Sequence, residues 1–264
     1  MAAGVAPIII MAHLARRQNA DKREQKIITF SLSKSVSLLV NIYFTTITLA
    51  FICSLLSFRL HMGLHLKVLS IVLGLTVCHE YFSRFINGPV LHIHYNTHLY
   101  NVFALVEFSG FSYYYLLLAK NKIEKNIIRG FLLLFPVLWY VLVIRIYGIL
   151  NWNSYMQLTG TFFIVVLSMY YYCKLLMADE IISLNKTPEF WIATGMIIFN
   201  SCNLPYFGSL NYLMHNYKTA SITFLPVLLL LNIIMYSLFI YAYLCQYYFY
   251  KTTPKQLLPS GPQS

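Results

Sequence analysis

Three side chains able to carry charge, His79, Glu80 and Arg84, stand inside the apolar stretch from Val77 to Ile86. Glu80 and Arg84 are four positions apart, so a helix sets them on one face, within reach of an ion pair. His79 lies about 100° around the same helix from Glu80. Charged groups at membrane depth are costly to keep there and mark bundle interiors or cavities. The chain has only eight acidic residues, Asp21, Glu24, Glu80, Glu107, Glu124, Asp179, Glu180 and Glu189. Of these, only Glu80 and Glu107 fall well inside apolar runs. Glu107 sits about ten residues into its run, roughly 15 Å at the helical rise, and so near mid-bilayer. Tyr100, Phe103, Gly110 and Tyr114 are its helical neighbours, and Gly110 would let another helix approach closely.

Histidines raise the question of a metal. His61 and His65 read HxxxH, and His92, His94 and His98 read HxHxxxH. The first pair falls at the opposite end of a helix from the second group, and no HxxHH box follows, so no metal and no other cofactor is expected. The cysteines, Cys53, Cys78, Cys173, Cys202 and Cys245, all lie in apolar runs without a CxxC. They read as small buried hydrophobes rather than a disulfide framework or zinc site. No Gly-rich phosphate loop is present. A retinal pigment needs a lysine in its last span, and residues 222–250 contain none; NPxxY and DRY motifs are absent too.

The elements that must carry these groups follow from composition. The chain of 264 residues is 59% hydrophobic and 10% charged, with a mean hydropathy of +0.64. A soluble domain carries about 25% charged residues, so bilayer is the natural solvent and the lipid the first partner. A transmembrane helix needs about 20 mostly apolar residues, and seven stretches qualify: 36–58, 64–86, 98–119, 127–150, 155–177, 190–210 and 222–250. Their apolar runs are continuous rather than alternating, which indicates helices and not a barrel. The expected fold is therefore all-α, an integral membrane bundle of seven transmembrane helices over 36–250. A basic tail, 1–35, expected to be partly helical or disordered and without the layout of a signal peptide, precedes it, and a polar tail, 251–264, follows. The net charge of +11 clusters at the ends of apolar runs, which suits headgroups rather than nucleic acid.

Orientation follows from the loops. Most basic residues of the short loops, Lys120, Lys122, Lys125, Arg129 and Lys186 among them, gather beside loops 1–2, 3–4 and 5–6 and the C-tail. Arg84, Arg145 and Lys218 flank the other side. The bias favours an N-terminus outside and a C-terminus inside a cytoplasmic membrane, against the pull of the basic N-tail. Tyrosine runs at 113–115, 170–172 and 247–250 suit interfacial belts. Helices 2, 4 and 6 all end where helix 3 begins, so Glu80, Arg84, Arg145, Asn200 and Asn203 share one half of the membrane, with Glu107 deeper. These six residues are the candidate ligand pocket. The plain alternative is that the acids and arginines pair and fix helix packing, or that the arginines extend to the interface.

Glu80, the run from Asn96 through Phe108 and the segment from Pro188 through Gly195 together resemble a set of uncharacterised bacterial seven-span membrane proteins, over residues 36–250. The resemblance implies the seven-helix architecture and draws attention to Glu80, Glu107 and the segment Pro188-Glu189-Phe190-Trp191. The expected function is a sensor or receptor-like module that binds a small-molecule ligand among its helices and signals through a cytoplasmic partner. A small proton-coupled transporter is the alternative, and a metal-dependent membrane enzyme a third.

Overall fold

The computed structural model describes residues 24–60, 62–86, 97–177, 184–216 and 224–252, and most of these are helical, with no strand among them. Among the described residues seven long helices run in order: α1 (Glu24–Ser54), α2 (Leu64–Ile86), α3 (Thr97–Leu118), α4 (Lys122–Trp139), α5 (Ser154–Leu176), α6 (Pro188–Asn216) and α7 (Leu225–Thr252). A short helical turn, Leu56–Arg59, extends α1, and a 3-10 turn, Leu184–Lys186, leads into α6. The α1 helix begins at Glu24, inside the segment that the sequence reads as a basic tail. His61, His92 and His94 lie outside the described residues.

Local chemistry sets several helix ends. The Asn121 side chain accepts a hydrogen bond from the Ile123 amide and starts α4. Asn153 does the same for α5 through the Met156 amide, at 3.0 Å. Each satisfies an amide that the first turn leaves without a partner. The sequence predicts one continuous helix over 127–150, but the chain changes winding on the way. At Tyr140 the α-helix becomes a π-helix that runs to Ile146. Pro136 lies four residues upstream; its missing N–H removes one rung of the ladder and favours local rewinding. The segment then stops at Gly148, whose φ of +78° is open to glycine at little cost.

Six helices close a ring in the order α1, α2, α3, α5, α6, α7, with α7 returning against α1. The fourth helix stands outside this ring, resting mainly on α3 and only lightly on α5. The core is built mainly from ring helices, with Tyr43 and Ile47, Leu69 and Leu73, Phe108 and Phe111, Met196, Met235 and Phe239 in one cluster that Ile128 and Phe135 of α4 also join. Small residues permit the closest approaches. A Cβ at Gly110 would stand 2.5 Å from Val72 Cγ2, and one at Gly160 would stand 2.4 Å from the Phe108 ring.

The outer face is apolar. Leu133, Leu134, Ile71, Phe162 and Leu230 are all exposed, far more than a soluble monomer shows in a contiguous patch. Among the described residues, five stretches are long and apolar enough to cross a membrane: Val36–Arg59, Leu64–Phe85, Lys122–Ile146, Ser154–Leu176 and Pro226–Tyr248. Together they indicate a membrane location. The other two long helices, α3 and α6, fall short in apolarity rather than length, because they carry Asn101, Glu107, Ser112, Asn200 and Asn203 into the interior. The cysteines depart from the expectation of burial: only Cys245 is buried, while Cys78, Cys173 and Cys202 are exposed free thiols on the apolar outer face.

Candidate functional site

Glu80 comes from the last two turns of α2 and Glu107 from the middle of α3, and both are fully enclosed. The two carboxyl groups lie close enough to act on each other electrostatically. Three buried tyrosines complete the group. Tyr43 of α1 is the side-chain neighbour of Glu80, Tyr236 of α7 faces both acids and Tyr43, and Tyr100 of α3 acts on Tyr43. The contact of Tyr43 with Glu80 is loose: its hydroxyl and Glu80 Oε1 have no partner at ordinary hydrogen-bond distance. Four ring helices thus place two carboxyls and three phenols in one buried region of the interior. Such groups recognise a ligand by hydrogen bonding and charge, with the ring faces adding attraction for a cation.

His79 stands beside this cluster without entering it. Its ring stacks on Phe103 at 4.2 Å between centroids and meets Tyr100 edge-on at 4.6 Å. It acts as an aromatic wedge between α2 and α3.

The arginines lie elsewhere. Arg84 is exposed; its guanidinium sits 4.7 Å above the Phe44 ring and reaches Asn41 Oδ1 at 3.4 Å. The helical spacing of Glu80 and Arg84 allows a pair, but Glu80 turns into the ring while Arg84 turns across to α1. Arg145 is exposed on the π-helical segment. Asn200 and Asn203 are buried on α6, each donating its amide to its own helix, to Met196 O at 2.8 Å and to Phe199 O at 2.9 Å. Asn203 Oδ1 has no hydrogen-bond partner, and Asn232 on α7 repeats the pattern. The structure therefore brings together Glu80 and Glu107, leaves Asn200 and Asn203 in the interior on α6, and turns both arginines outward. Among the described residues, no three His, Cys, Asp or Glu side chains gather in a way that could hold a metal ion.

The opposite end of the bundle carries two contacts that the sequence does not reveal. His65 Nε2 meets Glu189 Oε1 at 2.7 Å, tying the start of α2 to the start of α6. Tyr114 lies edge-on to that imidazole at 6.0 Å. Glu124 on α4 is held by Lys174 Nζ at 2.9 and 3.0 Å and by the Tyr170 hydroxyl at 2.8 Å. The segment from Pro188 to Trp191 stands out by resemblance and contains Glu189, but nothing in the spacing assigns His65 to it. Tyr43 and Tyr236 were hidden for another reason: among 22 tyrosines, no periodicity separates an interior phenol from one at an interface. No protein-family model, curated protein or solved structure significantly matches the chain.

Proposed function

We propose that this is a seven-span integral membrane protein whose interior carboxyl–tyrosine cluster binds a small polar or cationic ligand, as a sensor that passes binding on to a cytoplasmic partner. The observation that carries this reading is the burial of Glu80 and Glu107 near each other, with Tyr43, Tyr100 and Tyr236 in the same region, inside a closed ring. Acidic groups at membrane depth are expensive, and their retention marks a site of function by default. Ligand contacts made at once to α1, α2, α3 and α7 would shift the packing of those helices, and that shift is what a partner reads.

Seven spans are supported by length and position. At 1.5 Å per residue, the 22 residues of α3 and the 29 of α6 reach about 33 and 44 Å, beyond the ~30 Å hydrocarbon thickness. Both helices belong to the closed ring with membrane-length neighbours, and their polar groups face inward. The bias of short-loop lysines and arginines supports an N-terminus outside and a C-terminus inside.

Proton-coupled transport is the second reading, favoured by the same pair of acids, because ionisable side chains within membrane helices mark proton relays and ion pathways. The test uses Glu80→Gln and Glu107→Gln, which keep shape while removing charge. A sensor loses ligand-induced thermal stabilisation in both variants while proton flux into proteoliposomes stays at background for every form. A transporter shows proton flux in the parent that both variants abolish. If each variant only lowers the melting temperature, with neither ligand response nor flux in the parent, the cluster is structural and both readings fall.

A further inference from the structure

A groove of about 300 Å³ opens between α4 and α5 with the end of α3 behind it. It exists because α4 stands outside the ring and touches α5 only lightly. Ile123, Ile127, Ile128, Val166 and Leu167 make its walls apolar, and Tyr115, Tyr170 and Tyr171 border it. One turn deeper, Phe131 and Phe163 stack at 3.6 Å between centroids and join the two helices. The volume is at the lower end of the range for ligand pockets, and the shape is that of a slot open toward the bilayer.

The rim has a different character. Lys120 and Lys122 are exposed on either side of Asn121, itself a lining residue. Lys125 and Arg129 follow on α4. Among the described residues the one acid at the rim, Glu124, is already neutralised: Lys174 bridges both its oxygens, and Tyr170 and the Lys120 amide donate to it as well. The described rim is therefore strongly positive around an apolar slot, at the level where α4 begins and α5 ends. An acyl chain with an anionic head matches both halves of that arrangement, and a zwitterionic head matches only one.

We propose that this groove is a binding site for an anionic phospholipid of the adjoining leaflet, one acyl chain lying in the slot and the phosphate set against Lys120 and Lys122. The site rests on the membrane setting but not on the interior acids, and it is read independently of them. Lipid bound there would fasten α4, which stands outside the ring, to α5.

The experiment uses the full chain in vesicles of brominated phosphatidylglycerol or brominated phosphatidylcholine, which quench a nearby indole. Tyr171→Trp reports from the groove, and Tyr247→Trp reports from α7, which packs on the other side of the ring; the emission of the parent chain is subtracted. Each cation near an acidic leaflet is worth roughly fivefold in partitioning. With two lysines against the phosphate, the groove reporter should therefore be half-quenched at roughly 25-fold less phosphatidylglycerol than phosphatidylcholine, with no such preference at position 247. Adding Lys120→Gln and Lys122→Gln should remove the preference. Equal preference at the two reporters, or a preference that survives the double substitution, overturns the assignment. Native mass spectrometry of the unsubstituted chain covers failure of the reporters to fold: retention of one phosphatidylglycerol in preference to phosphatidylcholine supports the site, and equal loss of both overturns it.

Discussion

The His65 imidazole Nε2 lies 2.7 Å from the Glu189 carboxylate Oε1, joining the start of α2 to the start of α6 across 124 positions of sequence. These helices are not neighbours in the ring, so the contact is a tie across its end rather than along a seam. Both side chains are largely enclosed. Interior hydrogen bonds of membrane bundles contribute somewhat under 1 kcal/mol on average, and those to charged groups more. A double-mutant cycle of His65→Ala and Glu189→Ala, read by unfolding in mixed micelles, should give a coupling on the order of 1 kcal/mol. Strict additivity would mean that the two groups act separately.

Close approach at Gly160 leads to a second prediction. A Cβ there would come within 2.4 to 2.6 Å of three atoms of the Phe108 ring. That ring is itself held edge-on against Phe135, so it has little freedom to retreat. Gly160→Ala should destabilise the chain by about 1–3 kcal/mol through overpacking between α3 and α5. The companion substitution Phe108→Leu, which frees the space, should recover part of that loss. A melting temperature unchanged by Gly160→Ala would show that the helices have room to separate.

The elements were legible in the sequence because bilayer-facing helices must be apolar over their whole length, and such runs need no tertiary information to be seen. Helix ends were less so. The α1 start at Glu24 and the rewinding at Tyr140 depend on backbone choices that hydropathy averages away. Gly110 was readable as a close-approach residue from its place beside Glu107, and the structure sets it against Val72. Glu80 and Glu107 could be singled out by scarcity. Tyr100 was readable as a helical neighbour of Glu107, but Tyr43 and Tyr236 were not, since they come from α1 and α7, whose meeting with α2 and α3 follows only from closure of the ring. The direction of Arg84 escaped for a related reason: helical spacing fixes which residues share a face, while partners on the next helix decide where a long side chain ends.

Tyr43 separates a functional cluster from a packing one. Its hydroxyl is buried beside Glu80 without a partner at ordinary hydrogen-bond distance. Removing an unsatisfied buried hydroxyl does not cost a folded protein stability. Tyr43→Phe keeps the ring and its edge-on contact with Phe44 at 5.4 Å. Its unfolding free energy should therefore stay within about 1 kcal/mol of the parent, or rise. If the phenol serves the ligand, the apparent affinity in a thermal-shift titration should fall about tenfold, the equivalent of roughly 1.4 kcal/mol. Equal loss of stability and of ligand response would instead mark the hydroxyl as part of the packing.

Asn101 offers the sharpest test of how the turn after the π-helix is held. Its Nδ2 donates to Ile149 O and Asn151 O, both at 2.9 Å, and its own backbone oxygen accepts from Trp139 Nε1 at 2.7 Å. One residue near the start of α3 therefore fixes both the end of α4 and the chain that leads into α5. Asn101→Leu is close in size but leaves two carbonyls without their donor, at a cost of about 1–3 kcal/mol. The Trp139 bond goes to the backbone and survives the substitution. Hydrogen exchange should rise in residues 147–153 and stay unchanged over the first turns of α4. Faster exchange throughout α4 would show that the side chain of Asn101 holds the whole helix to α3, rather than the turn alone.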